Sequence, residues 1–224
     1  MTDPHIGTLN EGSLHAALKQ HYARPGDEFE VPLHGFVIDI RRGDELIEIQ
    51  TSSFAAMGRK LDHLLSDHHI LIVHPIAIET YLARPGVKPR RSPKRMSIYS
   101  LFEELVSIPT LLDHPNLSLE VALVSVTKVQ DHDPTARRNR GGFRTRDRVL
   151  RELHGTERFA TSSDLLRLVP EGLPAIFTTA DLASKAGISR ASAQQMAYCF
   201  RPLGLFIEEG RSKTGFHYRL ASAS

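Results

Sequence analysis

The sequence predicts a protein of the mixed α/β (α+β) class, and three observations lead to that prediction. Within residues 1–80, segments with helical spacing and segments with period-2 alternation follow one another in the order α-β-β-β-α-β. Residues 69–78 form a nearly continuous apolar run, which is typical of a strand covered on both faces. Toward the C terminus, the pattern predicts two short helices around a turn at Gly187, followed by a β-hairpin.

The composition excludes several classes of protein. With 224 residues, the chain can form one large domain or two small ones. Its formal net charge of +2 does not by itself indicate nucleic acid, although the basic residues are unevenly distributed. Cys199 is the single cysteine, which excludes an internal disulfide framework and a CxxC metal site. No signal peptide or membrane-length apolar run is present, so we expect a cytoplasmic protein without a membrane partner.

The first predicted helix covers residues 9–23, where apolar residues recur at helical spacing. Asn10 is a suitable N-cap, and the Pro-Gly pair at 25–26 ends the helix. Glu11 falls in the first turn, close to the side that is predicted to be buried. An acid at this position is either a functional group or a complement to the helix dipole.

Residues 36–50 are predicted to form a β-hairpin after a short strand at 28–33. Apolar residues alternate on both sides of Gly43-Asp44, which indicates a two-residue loop. Pairing of Arg42 with Glu45 then sets the register. One face becomes apolar, formed by Ile38, Ile40, Ile47 and Ile49. The other face carries Asp39 directly opposite Glu48, with side-chain roots roughly 5 Å apart.

Two carboxylates at this spacing repel each other unless a cation lies between them. Mg²⁺ prefers carboxylate oxygens and usually binds through one or two of them, together with water and phosphate. The hairpin therefore indicates a metal site on a sheet. The alternative is a solvated face on which Arg41 and Arg42 neutralise the two acids.

A second helix is predicted over residues 54–67, followed by the apolar strand at 69–78. This order of elements, with an acid on the first helix, Asp39 on one strand and Glu48 on the next, resembles the core of the PD-(D/E)XK nuclease superfamily. The likeness is carried by Asn10-Glu11, Asp39 and the Glu48-Ile49-Gln50 triplet, and it covers about the first 80 residues. In layout the segment is similar to restriction-endonuclease-like domains and to Holliday-junction resolvases.

The resemblance implies a catalytic site and a cofactor. Asp39, Glu48 and Glu11 would bind Mg²⁺ or Mn²⁺, which lowers the pKa of a bound water and neutralises phosphoryl oxygens. The chain departs from the family pattern at Gln50, where the motif has lysine. Gln50 would orient the water, and Lys60 on the following helix could supply the missing cation. Otherwise Lys60 is a surface lysine whose stem covers apolar surface. Nucleases of this type often act as homodimers.

We assign the predicted nuclease-like domain to residues 1–130. One basic segment lies within this domain, and a second follows it. Residues 84–95 are predicted to be a basic, Pro-rich loop, followed by a helix over 98–112 and a strand over 117–129. Residues 131–148 are predicted to be an Arg/Gly-rich linker. The linker is either solvated or an arm that contacts DNA phosphates or a minor groove through Arg137, Arg138, Arg140, Arg144, Arg146 and Arg148.

Residues 149–224 resemble a winged helix-turn-helix domain, with helices at about 180–185 and 190–200 and a hairpin over 205–220. Thr178 or Thr179, and Ser189, are suitable caps. The resemblance implies that the second helix enters the major groove and that the wing contacts phosphates. The predicted DNA contacts are Arg190, Ser192, Gln194, Gln195, Arg211 and Lys213. Domains of this kind also serve as protein-protein modules.

Three functions follow as hypotheses. The first is a metal-dependent DNA endonuclease that acts on duplex, branched or single-stranded DNA. The second, which Gln50 favours, is a catalytically weak or inactive DNA-binding protein, a repair accessory factor or regulator on a decayed nuclease core. The third is a pair of protein-binding modules whose basic segments are merely solvated.

Overall fold

We analysed a computed structural model, which describes residues 12–134, 142–213 and 215–221. Its helices are α1 Ser13–Tyr22, α2 Gly58–Leu64, α3 Phe102–Leu105, α4 Thr179–Ala186 and α5 Arg190–Phe200. Short 3-10 helices cover Phe54–Met57, Ile98–Leu101, Leu111–Asp113 and Ser162–Leu168. The strands are β1 Glu28–Leu33, β2 Phe36–Arg42, β3 Glu45–Ile49, β4 His69–Arg84, β5 Val87–Arg91, β6 Leu117–His132, β7 Phe143–Phe159, β8 Phe177–Thr178, β9 Phe206–Ser212 and β10 Gly215–Leu220.

The large sheet is mixed, so the predicted α/β class is confirmed at that level. Its strand order is β1-β2-β3-β4-β6-β7, and β5 pairs with β4 outside this path. β4 runs parallel to both β3 and β6, and the other neighbouring strands are antiparallel. The first six elements follow the predicted order α-β-β-β-α-β. None of the described helices is long and apolar enough to span a membrane.

The predicted hairpin register is confirmed close to the turn. Arg42 pairs with Glu45, and Ile40 pairs with Ile47. Gly43 has a φ of +55°. A tight two-residue turn needs a positive φ at its first central position, and glycine adopts such a φ without steric cost. The local signals of alternation and turn chemistry were therefore sufficient to predict this part of the structure.

Beyond this pairing, strand β2 changes faces at Asp39. Ile40, Ile47 and Ile49 are buried in the cluster beneath α1, whereas Ile38 is buried in the cluster on the opposite face of the sheet. The structure thus differs from the predicted single apolar face. The reason is that the ladder between β2 and β3 ends at Ile40, so the two-residue period does not continue through Asp39.

The sheet separates two layers of core. On one face, α1 covers β2, β3, β4 and β6 through Leu14 and Leu18. On the other face, a larger cluster joins the sheet to α2, α3 and the C-terminal elements. Phe102 of α3 contacts Phe200 of α5 edge-on, with ring centroids 5.4 Å apart. The C-terminal elements therefore share a continuous hydrophobic core with the sheet.

Several segments differ from their predicted structure. β4 extends to Arg84 and forms a hairpin with β5, so much of the predicted loop at 84–95 is strand. The predicted helix at 98–112 consists of three shorter helical turns. Both described ends of the predicted linker at 131–148 belong to the sheet instead, because β6 reaches His132 and β7 begins at Phe143. The sheet thereby extends to Phe159, beyond the boundary predicted at residue 130.

The C-terminal elements form a second, smaller sheet with the strand order β8-β10-β9. Of the two predicted caps, Thr178 and Thr179, Thr178 is the one that caps α4, through a capping box in which its hydroxyl accepts from the Asp181 N–H at 3.3 Å. The Ser189 hydroxyl accepts from the Ser192 N–H at 3.0 Å and begins α5. Gly187, at a φ of +64°, ends α4 in the predicted turn.

Candidate active site

Asp39 lies where the ladder between β2 and β3 is interrupted. Its Oδ2 accepts a hydrogen bond from the Ile49 N–H at 2.8 Å, so the side chain takes over a backbone bond that a regular ladder would make. The same oxygen lies 3.2 Å from Nε2 of His15 on α1. Asp39 is therefore held by one group from the sheet and one from the helix that covers it.

Glu48 lies on β3 at the same interruption, but its partner comes from the opposite layer. Its Oε1 is 2.5 Å from Nζ of Lys60 on α2, and Lys60 also donates to the Val37 carbonyl at 2.6 Å. Oε1 is buried without a well-aligned hydrogen bond, although this ion pair is close. Lys60 thus bridges β2 and β3 where the two strands separate.

The two carboxyl groups, which we call the acidic pair, titrate differently. Burial raises the pKa of Glu48 to about 7, because Lys60 lowers it only in part and the charge of Asp39 raises it further. Burial also acts to raise the pKa of Asp39, but the hydrogen bond and charge of His15 and the Ile49 N–H together hold it below its usual value. At neutral pH, Asp39 is therefore ionised, whereas Glu48 is only partly ionised.

The structure differs from the arrangement that was predicted for a metal ion. The expected register of Asp39 directly opposite Glu48 is not among the ladder pairs, and the two side chains are contacted from opposite faces of the sheet. Within the described ranges, no group of three or more His, Cys, Asp or Glu side chains could hold a metal ion. Glu11, the third predicted ligand, lies outside the described residues.

The acidic pair supplies carboxylate oxygens, the type of ligand that Mg²⁺ prefers. A magnesium ion usually takes one or two protein carboxylates and completes its shell with water and phosphate. Oε1 of Glu48 is a buried carboxylate oxygen without a well-aligned donor, and Asp39 is a second carboxylate at the same break.

Gln50, the predicted water-orienting residue, is directed away from the acidic pair. Its side-chain amide donates to the Ser53 carbonyl at 2.7 Å and to the Ser52 hydroxyl at 3.1 Å. The Gln50 carbonyl is 2.7 Å from Nδ1 of His74, which must be the protonated nitrogen because a carbonyl can only accept. Burial keeps the pKa of His74 low, so this histidine is neutral at pH 7.

The described arginines of the predicted arm, Arg144, Arg146 and Arg148, lie on strand β7 of the sheet. Arg144 lies exposed on β7, opposite Asp131, and its guanidinium is 4.0 Å from Asp133. Arg146 is 3.4 Å from Asp131. Acids of β6 and the following turn therefore neutralise part of the predicted phosphate-binding charge. Arg137, Arg138 and Arg140 lie outside the described residues.

The predicted contacts of the C-terminal module divide into two groups. Arg190 and Gln194 are exposed one turn apart on α5, and Lys213 is exposed after β9. Arg211 is exposed and lies 5.1 Å from the ring of Phe216. Ser192 and Gln195 are only half-exposed, and the Ser192 hydroxyl is 2.9 Å from that of Ser189. Ser192 therefore serves to cap α5.

Two basic residues of α1, His15 and Lys19, lie near the acidic pair although they were not predicted as site residues. His15 contacts Asp39, and Lys19 forms an ion pair with Glu30 on β1 and also lowers the pKa of Asp39. Both face the sheet one turn apart, at positions 15 and 19. The signal was available in the sequence, since these residues border the apolar stripe that contains Leu14 and Leu18.

The fold and the acidic pair define a mixed α/β protein with a coupled carboxylate–lysine site inside its sheet. The chain belongs to the domain family of unknown function DUF8091, which matches residues 12–160 and so ends one residue after β7. An uncharacterized protein from Treponema pallidum (strain Nichols) is 33% identical over 186 residues, covering 80% of this chain and 73% of the relative. No solved structure gives a significant match to the chain.

Proposed function

We propose that the protein is a Mg²⁺-dependent DNA endonuclease with a restriction-endonuclease-like core. One observation carries the proposal. At the separation of β2 and β3, the buried carboxyl of Glu48 pairs with Lys60 and has its pKa raised to about 7, beside an ionised Asp39. Buried groups with strongly shifted pKa values and specific charge partners are concentrated at catalytic sites.

The order of elements supports the same proposal. Two carboxylates lie on the adjacent strands β2 and β3 of an α-β-β-β-α-β unit, and α1 and α2 lie against opposite faces of the sheet. This is the layout that the resemblance to PD-(D/E)XK nucleases implies. Lys60, on α2, forms an ion pair with Glu48 and could therefore replace the lysine that the family motif has at position 50.

In the proposed mechanism, bound Mg²⁺ would neutralise phosphoryl oxygens and lower the pKa of an attacking water. Asp39 and Glu48 would hold the ion, and Glu48 must release its proton to do so. Lys60 would supply a fixed positive charge beside the phosphoryl group, where negative charge develops during hydrolysis. His15 would keep Asp39 ionised and oriented through its contact at 3.2 Å.

The C-terminal module would position the DNA. Its order of β8, α4, α5, β9 and β10, with β10 between β8 and β9, supports a winged helix-turn-helix arrangement. In that arrangement Arg190 and Gln194 face outward from the second helix, and Arg211 and Lys213 lie in the wing. These exposed residues suit contacts with bases and phosphates.

Cleavage assays with single-stranded, duplex and branched DNA, in Mg²⁺, in Mn²⁺ and in EDTA, test the proposal. We expect metal-dependent cutting that the Asp39→Ala substitution reduces at least roughly a hundredfold, while DNA binding is retained. Asp62→Asn, an exposed acid on α2, is the matched control and should cut like the wild type. Absence of cutting on every substrate with both metals would refute the proposed activity.

A second candidate is a DNA-binding protein on a catalytically inactive nuclease core. The side chain of Gln50, which bonds to Ser52 and Ser53 instead of the acidic pair, favours it. This candidate predicts DNA binding that neither Asp39→Ala nor the addition of metal changes. The cleavage assay therefore separates the two candidates.

A further inference from the structure

A cleft of about 410 Å³ lies beyond the end of β3. Leu14, the neighbour of His15, forms part of its wall, as does the segment 51–53 that follows Gln50. The other walls come from β4, β6, β7 and the chain after β5. Its basic lining residues are Lys94, Lys128 and Arg148, and we call this site the cationic cleft.

Two of the three cations face each other across the ladder. Lys128 of β6 is paired directly with Arg148 of β7, an arrangement that repels unless an anion bridges the two charges. Lys128 is half-buried, whereas Arg148 and Lys94 are exposed. Burial lowers the pKa of Lys128, and the charges of Arg148 and Lys94 lower it further. The three charges are thus close enough to repel one another.

The acids near the cleft are engaged elsewhere. Glu104 lines it, but its Oε2 accepts a hydrogen bond from the Phe54 N–H at 3.1 Å. Asp147, next to Arg148 in sequence, accepts from the Ser13 N–H at 3.2 Å and from the Ser13 hydroxyl. In the part of the chain that the structure describes, no acid forms an ion pair with Lys94, Lys128 or Arg148.

The rest of the lining suits an oxyanion. Thr51, Thr80 and Ser92 contribute hydroxyl groups, and the cleft also contains apolar surface from β4 and β6. Ammonium, guanidinium and hydroxyl donors around one space are the chemistry that recognises phosphate oxygens. A carboxylate ligand would need fewer positive charges than the three that converge here.

We propose that the cationic cleft binds a phosphate group of a nucleic-acid strand between Lys94, Lys128 and Arg148. The identity of the strand rests on the proposed function, whereas the anion site rests on the cleft itself. Residues 51–53, which follow β3 in the chain, form part of its wall, so a strand held here passes the end of β3. Free phosphate shares the same chemistry, and the experiment distinguishes the two sources.

Fluorescence anisotropy of a labelled single-stranded oligonucleotide in EDTA measures binding without cleavage. We expect the double variant Lys128→Gln/Arg148→Gln to bind at least about tenfold more weakly than the wild type. Because each contact to single-stranded DNA contributes about 0.7 to the salt dependence, the slope of log Kd against log salt should fall by about 1.4. The matched control Arg24→Gln/Arg59→Gln removes two exposed cations outside the cleft and should change neither value.

Circular dichroism and the thermal midpoint verify that each variant is folded. The single variant Lys94→Gln, at an exposed position, provides an independent test, with a smaller expected loss of oligonucleotide affinity. Inorganic phosphate and a nucleoside monophosphate serve as competitors. The proposal is overturned if the double variant binds the oligonucleotide as tightly as the control variant does. It is also overturned if the double variant loses binding to free phosphate while the wild type does not bind the oligonucleotide at all. Binding that depends on the cleft in a protein that never cuts would refute the endonuclease alone.

Discussion

The acidic pair and the cationic cleft are built on the same sheet, and they differ in how their charge is balanced. In the acidic pair, each carboxyl has a basic partner from a different helix: His15 of α1 contacts Asp39 at 3.2 Å, and Lys60 of α2 contacts Glu48 at 2.5 Å. In the cationic cleft, Lys128 lies opposite Arg148, and no acid among the described residues forms an ion pair with either of the two.

This difference separates two uses of charge in a sheet. The internal partners of the acidic pair make it part of the folded structure, so its substitution should affect stability strongly. The cationic cleft is open to solvent, and its unbalanced charge should affect ligand binding more than stability. Substitutions in each site measure how much folding free energy it contributes and how that contribution depends on pH and salt.

The largest effect is expected from Lys60→Met. This variant leaves the buried Glu48 carboxyl without its cation, and we expect it to lose about 3–5 kcal/mol of unfolding free energy at pH 8. At pH 5, where Glu48 is protonated, the loss should be smaller. Urea denaturation at both values measures this. Arg59→Met, an exposed position on the same helix, should stay within about 0.5 kcal/mol of the wild type. An equal loss at both pH values would show that packing, not charge, explains the effect.

A second test uses the pH dependence of Glu48→Gln. The pKa of Glu48 is raised from 4.5 to about 7 by folding, so the stability that its protonation provides is complete below about pH 4.5 and is lost as the pH rises through 7. The Glu48→Gln variant lacks this loss. Relative to the wild type it should therefore gain roughly 3 kcal/mol between pH 4.5 and pH 8, whatever its offset at low pH. A stability difference that is independent of pH would contradict the raised pKa.

The smallest effect is expected in the cationic cleft. Lys128→Gln removes one of two facing positive charges, and we expect a gain of a few tenths of a kcal/mol at low ionic strength. The gain should disappear at about 1 M salt, where the screening length is only about 3 Å. Thermal unfolding at both salt concentrations measures it, with the exposed Lys88→Gln on β5 as the control. A loss of stability at low salt would indicate an unrecognised acidic partner of Lys128.

Local sequence patterns determined the early elements of this protein. Period-2 alternation and the Gly43-Asp44 turn were enough to predict the pairing of Arg42 with Glu45 and of Ile40 with Ile47, because both signals act within a few residues. Helical spacing predicted α1, α4 and α5, and hydroxyl caps at Thr178 and Ser189 predicted where the last two begin.

Only the tertiary structure decided which charges meet. The beginning of strand β7, residues 143–148, was predicted to be part of a linker because its charged residues break the apolar periodicity, and only pairing with β6 gives it a regular structure. The change of face at Asp39 and its contact with His15 depend on α1 lying across β2 and β3. Lys94, Lys128 and Arg148 converge from distant parts of the chain. Backbone conformation follows from neighbours in sequence, whereas the balance of buried charge follows from neighbours in space.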